Sequence, residues 1–283
     1  MPNSYNIILA PNSSILTGPG TNTIVIDGGD ADSPGATVID PADENPEHLN
    51  AIINEGERRG GIHRILLTHG HRDHIGGAEI LRRQLGVPIY AYSRSGISFI
   101  DEEIPDNASF PAGDDTLRAL YTPGHRFDHL SFFLEKQQTL FVGDLVASTS
   151  TVVIPAPPEG DMFDYMNSLR RLQSLHIAEI VPAHGPIITN PQQKLSEYIE
   201  HRMAREKQIL SLLEGHPQGI TIPMLVQHIY ADIDTHLHAL AAQSVESHLL
   251  KLEREARVYH TPQTSPTKNS VWYVVVNQSH PTI

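Results

Sequence analysis

Between residues 64 and 77 the chain reads RILLTHGHRDHIGG. His69, His71, Asp73 and His74 fall within six positions there. A core has little use for four such side chains, whereas a metal ion uses all of them. Ile65, Leu66 and Leu67 ahead of the cluster read as a short buried strand. Gly76-Gly77 and AEILRRQLG behind it read as a break followed by a helix. The four side chains therefore sit on a strand-to-helix turn, where rigid elements hold functional loops in place.

Three more ligand-type residues follow apolar strands. His125 comes after Pro123-Gly124 in YTPGHRFDH, Asp144 after Gly143 in LFVGDLV, and His184 between Ala183 and Gly185 in IVPAHGP. Five histidines and two aspartates suit two metal ions. Imidazole and carboxylate favour zinc or another first-row ion over magnesium or calcium. A workable division places His69, His71 and His125 on one ion and Asp73, His74 and His184 on the other, with Asp144 bridging. Three protein ligands per ion leave coordination positions open, as in catalytic sites. Ions so held would keep hydroxide available near neutral pH. The chain has no cysteine, which removes thiolate sites, disulfides and cysteine nucleophiles from consideration.

Histidine is common here, with 17 in the chain, and 8 of them follow residue 192 without ligand-like spacing. His236 and His238 are two apart, so on a helix they face different directions and read as surface or packing residues.

The 283 residues are 39% hydrophobic, enough for one large core and a smaller one. Up to residue 192, short β-branched runs ending in Gly, Pro or Asp alternate with amphipathic stretches such as NPEHLNAIINEGERRG and DMFDYMNSLRRLQSL. This pattern predicts a mixed α/β layer fold. QQKLSEYIEHRMAREKQILSLLEG then predicts a long helix, TIPMLVQHIYAD a short one with Thr221 as N-cap, and Val245, Leu249, Leu252 and Ala256 mark a third. RVYHTP and SVWYVVV look like a hairpin. Three helices and a hairpin resemble a winged helix. The expected domains are 1–192, catalytic, and 193–283, a small winged-helix-like α+β domain.

Charge separates these two parts. Residues 193–283 carry 8 basic and 9 acidic side chains, leaving 12 and 24 for the first 192, a balance of −12 against −1. An acidic surface repels phosphate backbones at long range. No run reaches the length of a membrane helix. The N-terminus lacks the basic and apolar regions of a signal peptide, so a cytoplasmic location with no membrane partner is expected.

HGHRDH at 69–74 matches the HxHxDH signature of the metallo-β-lactamase superfamily, and His125, Asp144 and His184 match its later ligands in order. The resemblance covers roughly residues 20–190. It implies an αββα four-layer sandwich with a dinuclear centre at one edge of two facing sheets. His71 stands where flavodiiron members carry glutamate, which favours zinc, two Zn2+ per chain. The absence of cysteine departs from the lactamase classes that use a cysteine ligand. GTNT at 20–23, FDYMNSLRRL at 163–172, PAHGPII and YIEHRMAREKQIL at 198–210 resemble the lactamase-β-like 2 group. That group carries a similar C-terminal extension and includes single-strand endoribonucleases and fungal acyl-carrier thioesterases.

These residues predict a hydrolase in which a metal-bridging hydroxide attacks a carbonyl or phosphoryl centre, with Asp73 orienting it and accepting its proton. The first substrate class is acyl: an ester, thioester or lactone. The alternative is single-stranded RNA. A third use is a DNA-binding regulator with a hydrolase-like sensor domain, disfavoured because Glu246, Glu253 and Glu255 interrupt Lys251, Arg254 and Arg257. The C-terminal domain could also be a substrate lid or a homodimer contact. His129 is a candidate for holding a developing oxyanion, or else for a loop-stabilising hydrogen bond. Asp40 either orients the ligand loop or forms a turn. Tyr165 either lines the cleft or packs its helix. Residues 147–161 are expected to form one wall of the cleft.

Overall fold

Neighbouring side chains on single strands enter different cores. In β2 (Asn22–Asp27), Ile24 and Ile26 join one apolar cluster and Val25 joins another. The same alternation holds in β4 (Ile62–Leu66) and on to Leu67: Leu66 sits with Ile24, whereas Ile65 and Leu67 sit with Val25. Successive strand residues point to opposite faces, so a sheet made of such strands is covered on both sides. The computed structural model describes residues 4–29, 32–92, 96–149, 151–262, 265–267 and 269–275.

The first sheet runs in sequence order: β1 (Tyr5–Leu9), β2, β3 (Ala36–Ile39), β4, β5 (Ile89–Ala91) and β6 (Glu102–Glu103). It is antiparallel up to β3 and parallel beyond, with Val38 opposite Ile65 and Ile39 opposite Leu66. The second sheet holds β7 (Ser109–Ala112), β8 (Asp115–Tyr121), β9 (Leu130–Leu134), β10 (Thr139–Phe141) and β11 (Glu179–Val181) in the order β11-β10-β9-β8-β7. Leu130, Phe132 and Leu134 of β9 meet Ile24, Ile26 and Leu66 between the sheets. Each such buried side chain contributes roughly 1.5–3 kcal/mol.

Helices close the two outer faces. On the first sheet, Leu49 and Ile52 of α1 (Pro46–Arg58) and Leu81 of α3 (Ala78–Leu85) pack on Val25, Val38 and Ile65. On the second, Met166 and Leu169 of α4 (Met162–Gln173) and Leu195 of α5 (Pro191–Glu214) pack on Phe133 and Leu140. The result is the four-layer αββα sandwich. Local chemistry starts the helices: the Asn45 side chain accepts from the N–H groups of Glu47 and His48 ahead of α1, and Asp161 accepts from that of Asp164 ahead of α4. The short α2 (Arg72–Ile75) follows β4.

α5 serves two cores. Leu195 and Tyr198 pack with the second sheet's helical layer, whereas Ile209 and Leu213 pack with Leu225, Val245, Leu249, Leu252 and Trp272. That smaller core belongs to α6 (Ile222–Ile229), α7 (His238–Arg254) and a sheet of β12 (Ile220–Thr221), β13 (Val258–Thr261) and β14 (Val271–Val274), ordered β12-β14-β13. β12 adds a third strand to the expected hairpin; two residues are too few to show an alternation. α7 ends before Ala256, whose φ of 56° takes it out of the helix. Thr221 stands at the start of α6 but its side chain makes no capping bond. Among the described residues, no helix is long and apolar enough to cross a membrane.

Candidate metal centre

The seven ligand-type side chains come from four loops that meet at one edge of the facing sheets, and they sort into two groups. His69, His71, His125 and Asp144 can converge on one point, and Asp73, His74 and His184 on a second. Asp144 faces both. Its Oδ2 lies 3.6 Å from His125 Nε2 and 3.9 Å from His69 Nε2. Its Oδ1 lies 3.2 Å from His184 Nε2 and 3.5 Å from His74 Nε2. Asp73 Oδ2 is 3.5 Å from His184 Nε2 and 3.8 Å from His74 Nε2.

Each histidine spends its other ring nitrogen on an acceptor. Nδ1 of His74 donates to Asp40 Oδ2 at 2.8 Å, that of His69 to Thr68 Oγ1 at 3.0 Å, and that of His125 to the Val153 carbonyl at 2.8 Å. Nδ1 of His184 lies 3.5 Å from the Gly20 carbonyl. His71 is turned round and gives Nε2 to Glu159 Oε1 at 3.0 Å. Such partners fix the tautomer of a metal-bound histidine. The remaining nitrogens carry lone pairs that point at one another. His71 Nδ1 sits 2.9 Å from His69 Nε2 and 3.1 Å from His125 Nε2. His74 Nε2 is buried without a hydrogen-bond partner. Crowded lone pairs and an orphaned buried nitrogen are stable around a cation. The donors, imidazole and carboxylate without thiolate, fit zinc or a similar ion.

The electrostatics agree. Burial above all, with the neighbouring imidazoles, holds His69 well below the ordinary histidine range, and burial holds His125 at about 4. At His74 burial opposes charge, but Asp144 and Asp40 outweigh it and raise the pKa well above that range. At Asp144 burial favours the neutral acid, but His74 and His184 outweigh it and keep the carboxylate ionised. The field that draws a proton to His74 would equally draw a metal cation.

Backbone constraints place these groups. Gly143, at φ 55°, comes just before Asp144, and a Cβ there would lie 2.6 Å from His129 Nε2. Gly124, at φ 138°, comes just before His125, and a Cβ there would lie 2.3–2.4 Å from the Tyr165 backbone. Asn22 donates to the Pro182 and Gly185 carbonyls at 2.9 and 2.8 Å, bracketing His184. Thr23 donates to the Asp40 carbonyl at 2.6 Å, so the GTNT stretch braces both the His184 loop and the turn that carries Asp40.

The structure corrects one expectation and resolves two. His129 does not face the cleft: it is fully buried, its Nε2 accepts from the Asp144 N–H at 3.1 Å and its Nδ1 donates to Thr122 Oγ1 at 2.9 Å. Burial lowers it to about 3. It steadies the Asp144 loop and cannot reach an oxyanion. Asp40 orients the ligand loop, accepting from both the N–H and the hydroxyl of Thr68 as well as from His74. Tyr165 is packing, with its hydroxyl donating to the Leu145 carbonyl at 2.7 Å.

A cleft of about 330 Å³ opens over the ligands. Ala147, Val152, Val153 and Pro155, from the expected 147–161 wall, line it with Leu16 and Leu240. Glu159, the partner of His71, also lines it, and the sequence carried no signal for that role. Asp128, within YTPGHRFDH, is a further site residue for which the sequence carries no signal; its carboxylate receives the Gly70 N–H at 3.1 Å and Arg126 Nε at 2.8 Å.

Residues 8–184 match the family model described as metallo-beta-lactamase superfamily. The chain belongs to that superfamily. As a metallo-β-lactamase-fold protein it is a metal-dependent hydrolase by class. Residues 221–266 match the beta-lactamase associated winged helix domain. The chain is 31% identical over 259 residues to the beta-lactamase-like protein 2 homolog of Caenorhabditis elegans, covering 89% of this chain and 84% of that one. It is 29% identical over 281 residues to an atrochrysone carboxyl ACP thioesterase of Aspergillus chevalieri, covering 96% and 87%. A beta-lactamase domain protein from Burkholderia ambifaria shares the superfamily fold with a TM-score of 0.81 at 15% identity, over 96% of this chain and 91% of that one.

Proposed function

We propose that this superfamily member is a dinuclear zinc hydrolase of an acyl substrate, a thioester, lactone or other small ester. The observation that carries this is the cleft itself: a floor of nitrogen and carboxylate donors under largely apolar walls. Among the described residues lining it, Arg72 is the one cation other than the histidines, and its side chain is 91% exposed. A track for a phosphodiester chain would need more positive charge than this. The thioesterase named among the relatives supports the same substrate class.

His69, His71 and His125 would hold one ion, Asp73, His74 and His184 the other, and Asp144 both. Bound there, the ions would supply Lewis acidity and lower the pKa of water. The protein's own part is orientation and proton handling. Asp73 lines the cleft with its carboxylate, partly exposed, beside His184. It is placed to orient an attacking water and take its proton. The apolar walls exclude bulk water from the acyl group, which strengthens the charge interactions at the floor.

The test is hydrolysis of acetyl and octanoyl thioesters of N-acetylcysteamine, and cleavage of a labelled single-stranded RNA, by zinc-loaded wild type and Asp73→Ala. Thioester turnover that falls at least ~100-fold in the variant, with zinc retained, is the expected result. RNA cleavage that depends on Asp73, without thioester turnover, would replace the acyl assignment by the endoribonuclease one.

A further inference from the structure

Among the described residues, the C-terminal module reaches the cleft through α7. Leu240 and Gln243, three residues apart on one face of α7, line the same cleft as His71 and Asp73. The helix is fixed in that position. Ser247 Oγ donates to the Pro155 carbonyl at 3.1 Å in a buried bond. The Arg254 guanidinium lies over the Phe163 ring of α4, 4.0 Å from its centroid. Lys251 is buried and pairs with Glu206 of α5 at 2.9 Å and with Glu255 at 2.8 Å.

The cleft loop is tied to the same support. Arg202, one turn before Glu206 on α5, is buried and donates to the Val152 carbonyl at 2.5 Å. α5 therefore carries both α7 and the loop that supplies Val152, Val153 and Pro155. The three basic residues that would face nucleic acid at a recognition helix all make contacts within the chain: Lys251 with Glu206, Arg254 with Phe163 and, beyond the end of α7, Arg257 with Glu255 at 3.8 Å.

We propose that α7 is the acyl-selecting wall of the cleft and that Leu240 is its specificity-determining residue. Together with Val152, Val153 and Pro155, Leu240 forms an apolar slot for the acyl group of a thioester or ester. Gln243, exposed beside it, offers an amide to a polar substituent. The inference rests on the acyl-hydrolase assignment above.

Leu240→Ala and Leu240→Trp test it against acetyl, butyryl, octanoyl and benzoyl thioesters of N-acetylcysteamine. kcat and KM are read separately, with zinc content and melting temperature as controls. The expected result is a change of about ten-fold in the octanoyl-to-acetyl ratio of kcat/KM, mainly through KM and larger in the tryptophan variant. Equal factors for every acyl group, or no change in either variant, would overturn the role of Leu240 while the acyl assignment stands. Absence of any thioester turnover by wild type would overturn that assignment, and this inference with it.

Discussion

Asp40 holds Nδ1 of His74 at 2.8 Å, and the two are buried together. That bond holds a proton on Nδ1 and aims Nε2 at Asp73 and Asp144. Asp40 adopts a φ of 50°, in the left-handed region. A non-glycine residue there costs on the order of 1 kcal/mol, offset by the bonds its carboxylate accepts. The carboxylate is thus spent on orientation, not on the metal. Asp40→Ala is expected to weaken zinc binding by about 10–100-fold, read by competition with a chromophoric chelator. Unchanged affinity would contradict the role.

His129 acts on Asp144 in a comparable way, through the backbone. His129→Phe keeps the ring but leaves the buried Asp144 N–H without its acceptor. A loss of about 1–3 kcal/mol in stability is expected, measured by urea unfolding of the zinc-loaded protein. Wild-type stability in the variant would show that the bond contributes nothing.

The imidazole of His248 lies between α5 and α7, facing Glu206 and Arg202 from α5 and Lys251 from its own helix. Burial holds it at about 4, against the ordinary 6.5. The unfolded chain therefore takes up a proton that the folded one refuses. Stability is complete above pH 6.5 and falls as pH drops toward 4, by up to about 3 kcal/mol from this group. Glu206, held low by His248 and Lys251 despite burial, adds a loss of the same sign at lower pH. Unfolding free energies at pH 7.5 and pH 5 for wild type and His248→Leu check this. The variant should lose part of the difference, and an identical pH dependence would refute it.

Stripping the metal should leave the fold standing. The clusters between and outside the sheets are apolar and contain none of the ligands. Zinc should nevertheless raise the melting temperature, by roughly 5–10 °C at a hundred-fold excess over Kd if two ions bind. Thermal scans of stripped and reloaded protein measure it, and no shift would mean that the ligand cluster does not bind zinc in the folded state.

The ligands were legible because each one ends an apolar strand: His69 after Leu67, Asp144 after Val142, His184 after Val181. The layers were legible because strands such as Ile24–Val25–Ile26 are apolar on both faces. What the sequence concealed depends on direction and distance. His129 looked like a fourth-residue neighbour of His125, but β9 begins at Leu130 and draws it inward. Glu159 is 88 residues from His71 and carries no local mark. Leu240 carries no local mark either, and only the docking of α7 brings it to the cleft.

The two residue groups joined by Asp144 would hold two ions, and hydrolysis would need both. The most direct test is thioester turnover followed while zinc is titrated into the stripped protein. Turnover should be absent at the start, rise with added zinc and saturate at two equivalents per chain. Full turnover in the stripped protein, or saturation at one equivalent, would contradict it.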